Sequence, residues 1–126
     1  AVVLASLNTS RTKSRDARRV ADLTQITVAA AVFFDNHNRY PDSLVELTQV
    51  VAGINPPLDQ VPTNPGPNGC NYGYGVDVPG NASDYVVGAC LETDHNALLS
   101  SFDMGPGGSQ YGVNCDASVR EYCLSP

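Results

Sequence analysis

The chain opens with forty residues that contain neither Gly nor Pro, and that run constrains its fold more than any other feature. It reads AVVLASLNTSRTKSRDARRVADLTQITVAAAVFFDNHNRY, with a basic belt at Arg11, Lys13, Arg15, Arg18 and Arg19. From Val20 onward, apolar residues recur at Val20, Leu23, Ile26, Ala30 and Phe33, with Thr27 and Phe34 on the flanks. That spacing is one face of a 3.6-residue period. Asp35 to Asn38, followed by Tyr40-Pro41, reads as a stop. The pattern predicts one helix, roughly 55 Å long if all of it is helical at 1.5 Å per residue. The remaining chain is too small to cover such a rod. Residues 1–19 are therefore expected to protrude, and residues 20–126 to form a globular headpiece that includes the amphipathic half of the helix. The apolar start, Val2, Val3, Leu4 and Leu7, needs lipid or other helices around it. Ser6, Asn8, Thr9, Ser10 and Thr12 are weak helix formers, so the softest part of the rod is expected there.

The net charge of −6 hides an asymmetry: residues 1–20 carry +4 and residues 21–126 carry −10. An acidic headpiece argues against nucleic acid as a primary partner. A basic belt beside an apolar end suits anionic lipid heads, acidic neighbours in an assembly, or plain solvent. Four cysteines in 126 residues point to an oxidising, extracytoplasmic setting. Ala1–Leu7 is too short for a transmembrane helix, which needs about 20 apolar residues. It also lacks the charged start and cleavage site of a signal peptide.

Gly and Pro, 20 residues together, are concentrated after Arg39 and predict a turn-rich second half of short strands. Ser43-Leu44-Val45-Glu46 fits a capping box that would start a short second helix fading by Gly53. The proline-dense stretch from Asn55 to Pro67 predicts a stiff surface connector. Cys70, Tyr72, Tyr74 and Val76 alternate on one face of a first strand, with Gly73 and Gly75 between them for close packing or twist. Pro79-Gly80-Asn81 makes a turn, Asp84–Glu92 returns as a second strand, and a helical turn is expected near Asp94–Leu99. Ser109–Val113 is the candidate third strand. A turn centred on Gly80 sets Cys70 and Cys90, equidistant from it, directly opposite each other and within disulfide reach.

Catalytic signals are missing. His37 and His95 sit in polar loop contexts, and no G-x-S-x-G, H-E-x-x-H or phosphate-binding glycine loop occurs. The cysteines are separated by 19, 24 and 7 residues, without the C-x-x-C knuckle of a zinc site. No enzymatic activity and no cofactor are expected. Asn8-Thr9-Ser10 and Asn81-Ala82-Ser83 match the N-glycosylation pattern, with only Asn81 at an exposed turn.

The apolar opening, the run KSRDARRVADLTQI, the alanine-rich amphipathic turn and FFDNHNRYPDSLVEL resemble type IV pilins, most closely the short bacterial pilins and the major pseudopilins of type II secretion. The likeness covers residues 1–47 and is schematic beyond. It implies an α+β fold: a long N-terminal helix on a small antiparallel sheet, with a short second helix and a disulfide-tied C-terminus. The family's mature chain begins with a methylated Phe, an early Glu and an apolar segment of which only the tail is expected here. The membrane anchor and the assembly Glu therefore fall on no residue of this chain. A Cys115–Cys123 bridge follows once Cys70–Cys90 is accepted, and resembles the disulfide-bounded region near the end of many pilins. Because some pseudopilins bind calcium late in the headpiece, Glu92, Asp94, Asn96, Asp103 and Asp116 are candidate oxygen donors.

In function the resemblance implies a structural subunit that polymerises into an extracellular, type IV pilus-like filament for adhesion, motility or surface interaction. Its partners would be copies of itself, the inner membrane before assembly, and the pilus assembly machinery. Val2, Val3, Leu4 and Leu7 would lie in the filament core, while Val20, Leu23, Ile26, Ala30 and Phe33 pack on the subunit's own sheet. The alternatives are a pseudopilin acting as a secretion piston and a minor tip pilin with an adhesive or DNA-uptake role.

Overall fold

Helix α1 spans Val2–His37, 36 residues with no Gly or Pro to interrupt the backbone ladder. The computed structural model describes residues 2–126, with side chains from Leu7 onward. The helix stops where Asn38 turns left-handed (φ 56°), its amide held by the Phe34 carbonyl at 2.8 Å. Asn tolerates that conformation better than most residues. Leu23, Ile26, Ala29, Ala30 and Phe33 are buried, and Val20 packs half-buried at the edge of the same cluster.

The stripe lies on one face of a three-stranded antiparallel sheet of order β1-β2-β5, made of Gly73–Val76, Tyr85–Cys90 and Glu121–Leu124. Tyr85, Val87, Ala89 and Tyr122 are buried against the helix, with Tyr72, Tyr74 and Val76 packed beside them. The hairpin differs by half a residue from its sequence-based expectation. Gly73 faces Gly88 and Val76 faces Tyr85, so the turn is centred between Gly80 and Asn81 rather than on Gly80. Parity decides this. A turn centred on Gly80 would place Tyr74 opposite Val86, on the side away from the helix. The observed register puts Tyr74 opposite Val87 and brings both apolar sets to one face. Cys70 and Cys90 are therefore not partners on the ladder. They are nonetheless disulfide-bonded, Cα atoms 6.0 Å apart, because the chain leaves the ladder before Gly73.

The third strand also comes from elsewhere. Ser109–Gln110 (β3) and Val113–Asn114 (β4) form their own two-residue hairpin, with positive φ at Tyr111 (50°) and Gly112 (81°). Both central residues left-handed is the turn whose twist suits a tight hairpin. The strand beside β2 is instead Glu121–Leu124, whose Tyr122 and Cys123 are buried. The small hairpin covers the sheet's second face. A Cβ on Gly75 would lie 2.1 Å from the Tyr111 carbonyl oxygen, and one on Gly88 2.8 Å from Val113. Cys115–Cys123, fully buried beside Val86 and Val113, ties β5 to this layer.

Between helix and sheet, Val45–Thr48 forms a short 3₁₀ helix that buries Leu47. It lacks the expected capping box: Leu44 precedes it, and no side chain caps it. The Glu46 carboxylate reaches one residue further back, accepting from the Asp42 amide at 2.6 Å and pairing with Arg39. The Arg39 guanidinium and the Asp42 amide together occupy the carboxylate, and a charged donor is the stronger of the two. A second 3₁₀ turn, Asn96–Ser100, is capped by His95, whose Nδ1 accepts from the Ala97 amide.

Candidate functional site

The buried stripe of α1 does not begin at Val20. Counting back from Phe33, Ala30, Ile26 and Leu23 in alternating steps of three and four leads to Arg19 and Asp16. Both are completely buried. The headpiece thus engages the helix within the segment expected to protrude, through a polar clasp.

Each ion in the clasp has several partners. The Asp16 carboxylate accepts from Arg19 Nη1 (2.8 Å), the Glu92 and Thr93 amides (2.9 and 2.8 Å) and the Thr93 hydroxyl (2.6 Å). Arg19 donates through Nε to Asn64 Oδ1 (2.9 Å) and through Nη2 to the Gly66 carbonyl (2.6 Å). Its Nη1 also reaches Glu92 Oε2 at 2.6 Å. Arg15 closes the outer side with a two-pronged contact to Glu92, 2.7 Å on each prong. The Arg15 guanidinium, then Arg19, hold the Glu92 carboxyl at about 2, well below its ordinary 4.5. Charged groups out of water persist only when paired and hydrogen-bonded in this way. Just along the helix, the Tyr72 hydroxyl donates to Asp22 at 2.7 Å. Burial, and then that carboxylate, push the Tyr72 pKa up.

The basic belt is therefore divided. Arg15 and Arg19 turn inward to the clasp, whereas Arg11 and Lys13 face solvent. Arg18 is 60% exposed and 3.9 Å from Asp22. Residues 7–14 are helical and exposed apart from the partly covered Thr12, and Leu7 is 48% exposed. Val2, Val3 and Leu4, the other apolar residues expected at the filament core, lie outside the described side chains. Among the described residues, no helix is long and apolar enough to cross a membrane.

The five candidate calcium donors are not brought together. Glu92 belongs to the clasp, and Asp94 pairs with Arg120 at 2.9 Å. Asp103 accepts from the Gly105 and Ala117 amides, and Asp116 from those of Gly107 and Ser118. Asn96 sits in the 3₁₀ turn after His95. Among the described residues, no group of three or more His, Cys, Asp or Glu side chains could hold a metal ion. What the clasp does is tie the helix, just after residues 7–14, to the 64–66 and 92–93 segments of the headpiece.

The clasp left a signal in the sequence. Asp16 and Arg19 occupy the same helical stripe as Leu23 and Ile26, a position where a solvated charge is not expected. Compared with known proteins, no family model, no curated protein and no solved structure matches this chain.

Proposed function

We propose that this chain is a pilin-type structural subunit that polymerises through its N-terminal helix into a type IV pilus-like extracellular filament. The observation that carries the reading is the division of α1. From Asp16 onward one stripe is sealed against the headpiece, while residues 7–14 continue as helix with exposed sides. A helix exposed on all sides is marginal in water unless something packs on it. Copies of the same arm are the nearest supply of matching surface. A head-to-tail contact whose rotation does not close generates a helical filament. Stacked in that way, arms converge on the axis and acidic headpieces form the outside. The polar clasp supports this geometry because a rigid arm direction is what a repeating contact requires.

On this reading the protein carries out no chemical step. Before assembly the arm sits at the inner membrane, where assembly machinery collects subunits. Arg11, Lys13 and Arg18, the outward members of the belt, meet neighbouring acidic surfaces. Exposed ion pairs contribute only ~0–1 kcal/mol each, so apolar helix burial dominates.

The test is electron microscopy of wild type and of the double variant Val3→Asp/Leu7→Asp, with circular dichroism to verify that the headpiece stays folded. Wild type is expected to form filaments that persist in high salt, and the double variant to remain monomeric. Full assembly by the double variant would overturn the arm-core reading. Dissolution of wild-type filaments on raising salt would shift the assembly energy to the outward basic residues.

A further inference from the structure

The two disulfides occupy opposite environments. Cys115 and Cys123 are completely buried between sheet and small hairpin, whereas Cys70 and Cys90 are both partly exposed. They line a cavity of about 190 Å³ whose wall includes Gly73, Gly88, Gly112 and Glu121. Three glycines thin the wall beside the bridge, although Asn71, Val113 and Asn114 also line it, and the cavity is large enough for a small thiol.

What the bridge restrains is equally specific. No residue from Asp59 to Asn71 is buried, so no apolar anchor holds that connector between Leu58 and the sheet. It is held by polar contacts and by Cys70. The Cys70 amide donates to Asn68 Oδ1 (3.3 Å), and Asn68 Nδ2 donates to the Cys90 carbonyl (3.0 Å). Asn64 Nδ2 donates to the same Asn68 oxygen at 2.7 Å, while Asn64 Oδ1 and the Gly66 carbonyl receive Arg19. An unbroken chain of contacts thus runs from the exposed disulfide to the clasp.

We propose that Cys70–Cys90 is a thiol–disulfide exchange site for a neutral dithiol reductant, and that its reduction loosens the clasp around Arg19. One thiolate of the reductant attacks Cys70 Sγ, the S–S bond breaks, and Cys90 leaves as a thiolate that takes up a proton. The second thiol then attacks the mixed disulfide, releasing the Cys70 thiol and the oxidised, cyclic reductant. A dithiol is favoured because it resolves its own mixed disulfide. A neutral one is favoured because Glu121 in the wall and the −10 headpiece repel anionic thiols. Once cut, the connector keeps its hydrogen bonds but loses its cross-link to the sheet, and the backing of Arg19 through Asn64 and Gly66 becomes dynamic. The site is independent of filament formation, so its test does not depend on assembly.

The experiment treats the oxidised full chain with dithiothreitol, and separately with glutathione, under native conditions. Timed alkylation and mass spectrometry follow each cysteine. Because exchange depends on access, Cys70 and Cys90 are expected to become labelled at least ~10-fold faster than Cys115 and Cys123. The expected order of reductants is dithiothreitol before glutathione. Equal rates at the two bridges, or earlier opening of Cys115–Cys123, would overturn the site. Hydrogen exchange then compares oxidised protein, selectively reduced protein and the variant Cys70→Ser/Cys90→Ser. The Glu92 and Thr93 amides, which donate to Asp16, are expected to exchange at least ~10-fold faster in the latter two, with the amides of residues 23–33 unchanged. Unchanged protection at Glu92 and Thr93 would overturn the link to the clasp. Collapse of protection throughout the helix in both forms would make the bridge a global staple instead.

Discussion

Two lengths of one helical stripe reach the same burial by different chemistry. Residues 23–33 present Leu, Ile, Ala and Phe to the sheet, and residues 16–19 present Asp and Arg to loops. Apolar packing is non-directional: it scales with area and tolerates small rotations. The clasp is directional. Asp16 and Arg19 reach their partners at 2.6–2.9 Å only if the helix, the 92–93 backbone and the 64–66 connector are all in place. A buried ion pair is weak evidence for stability, because desolvation offsets much of its attraction. Its benefit here is orientation. The apolar half holds the helix to the headpiece, and the polar half fixes where the arm points.

The contrast is open to experiment, and the largest effect belongs to the apolar half. Phe33→Ala is expected to cost about 3–5 kcal/mol of unfolding free energy in a denaturant titration, the usual range for an aromatic deleted from a core. A loss under about 1 kcal/mol would mean that the stripe is less tightly packed than its burial indicates.

Next comes the clasp. Arg19→Met strands Asp16 without its cation, and breaking one side of a buried pair costs about 3 kcal/mol or more. Replacing both ions, Asp16→Leu with Arg19→Leu, is expected to cost less than the Arg19 variant alone, although the Glu92 and Thr93 amides lose their acceptor. Its signature is a change in arm orientation, read as altered distances between spin labels at Leu7 and in the headpiece. If the double replacement leaves those distances unchanged, the orienting role of the clasp fails even where stability is low.

The smallest effect is a pH slope. The folded Glu92 carboxyl sits at about 2 against an ordinary 4.5, so the folded chain binds fewer protons than the unfolded chain between those values. Its contribution is therefore fully present above about 4.5 and is lost as pH falls toward 2. Arg15→Gln removes the largest cause of that depression and should flatten the acid-side loss of stability while changing little at pH 7. Asp77, also held at about 2 chiefly by the Ser83 hydroxyl, keeps its own acid-side slope in the variant and serves as an internal control. An unaltered profile in Arg15→Gln would show that Arg19 alone sets the Glu92 titration.

The sequence by itself determined what is local. Absence of Gly and Pro made the helix, the 3.6-residue recurrence from Val20 to Phe33 named its inward face, and the alternation of tyrosines with glycines marked a two-faced strand. A turn near Gly80 was enough to bring Cys70 and Cys90 within reach even though their register was half a residue off, because a disulfide spans several ångströms of offset. Tertiary structure decided what depends on distant partners. Glu121–Leu124 displaced Ser109–Val113 as the third strand because β2 can accept only one neighbour on that side, and Tyr122 brings apolar area to the helix face. Arg19 read as one member of a basic belt facing lipid, an acidic neighbour or solvent, and Asp16 drew no reading of its own, since a charge does not name its future partner. Only when Glu92, Thr93, Asn64 and Gly66 converge from 45 to 77 residues away do those two ions find the hydrogen-bond partners that their burial requires.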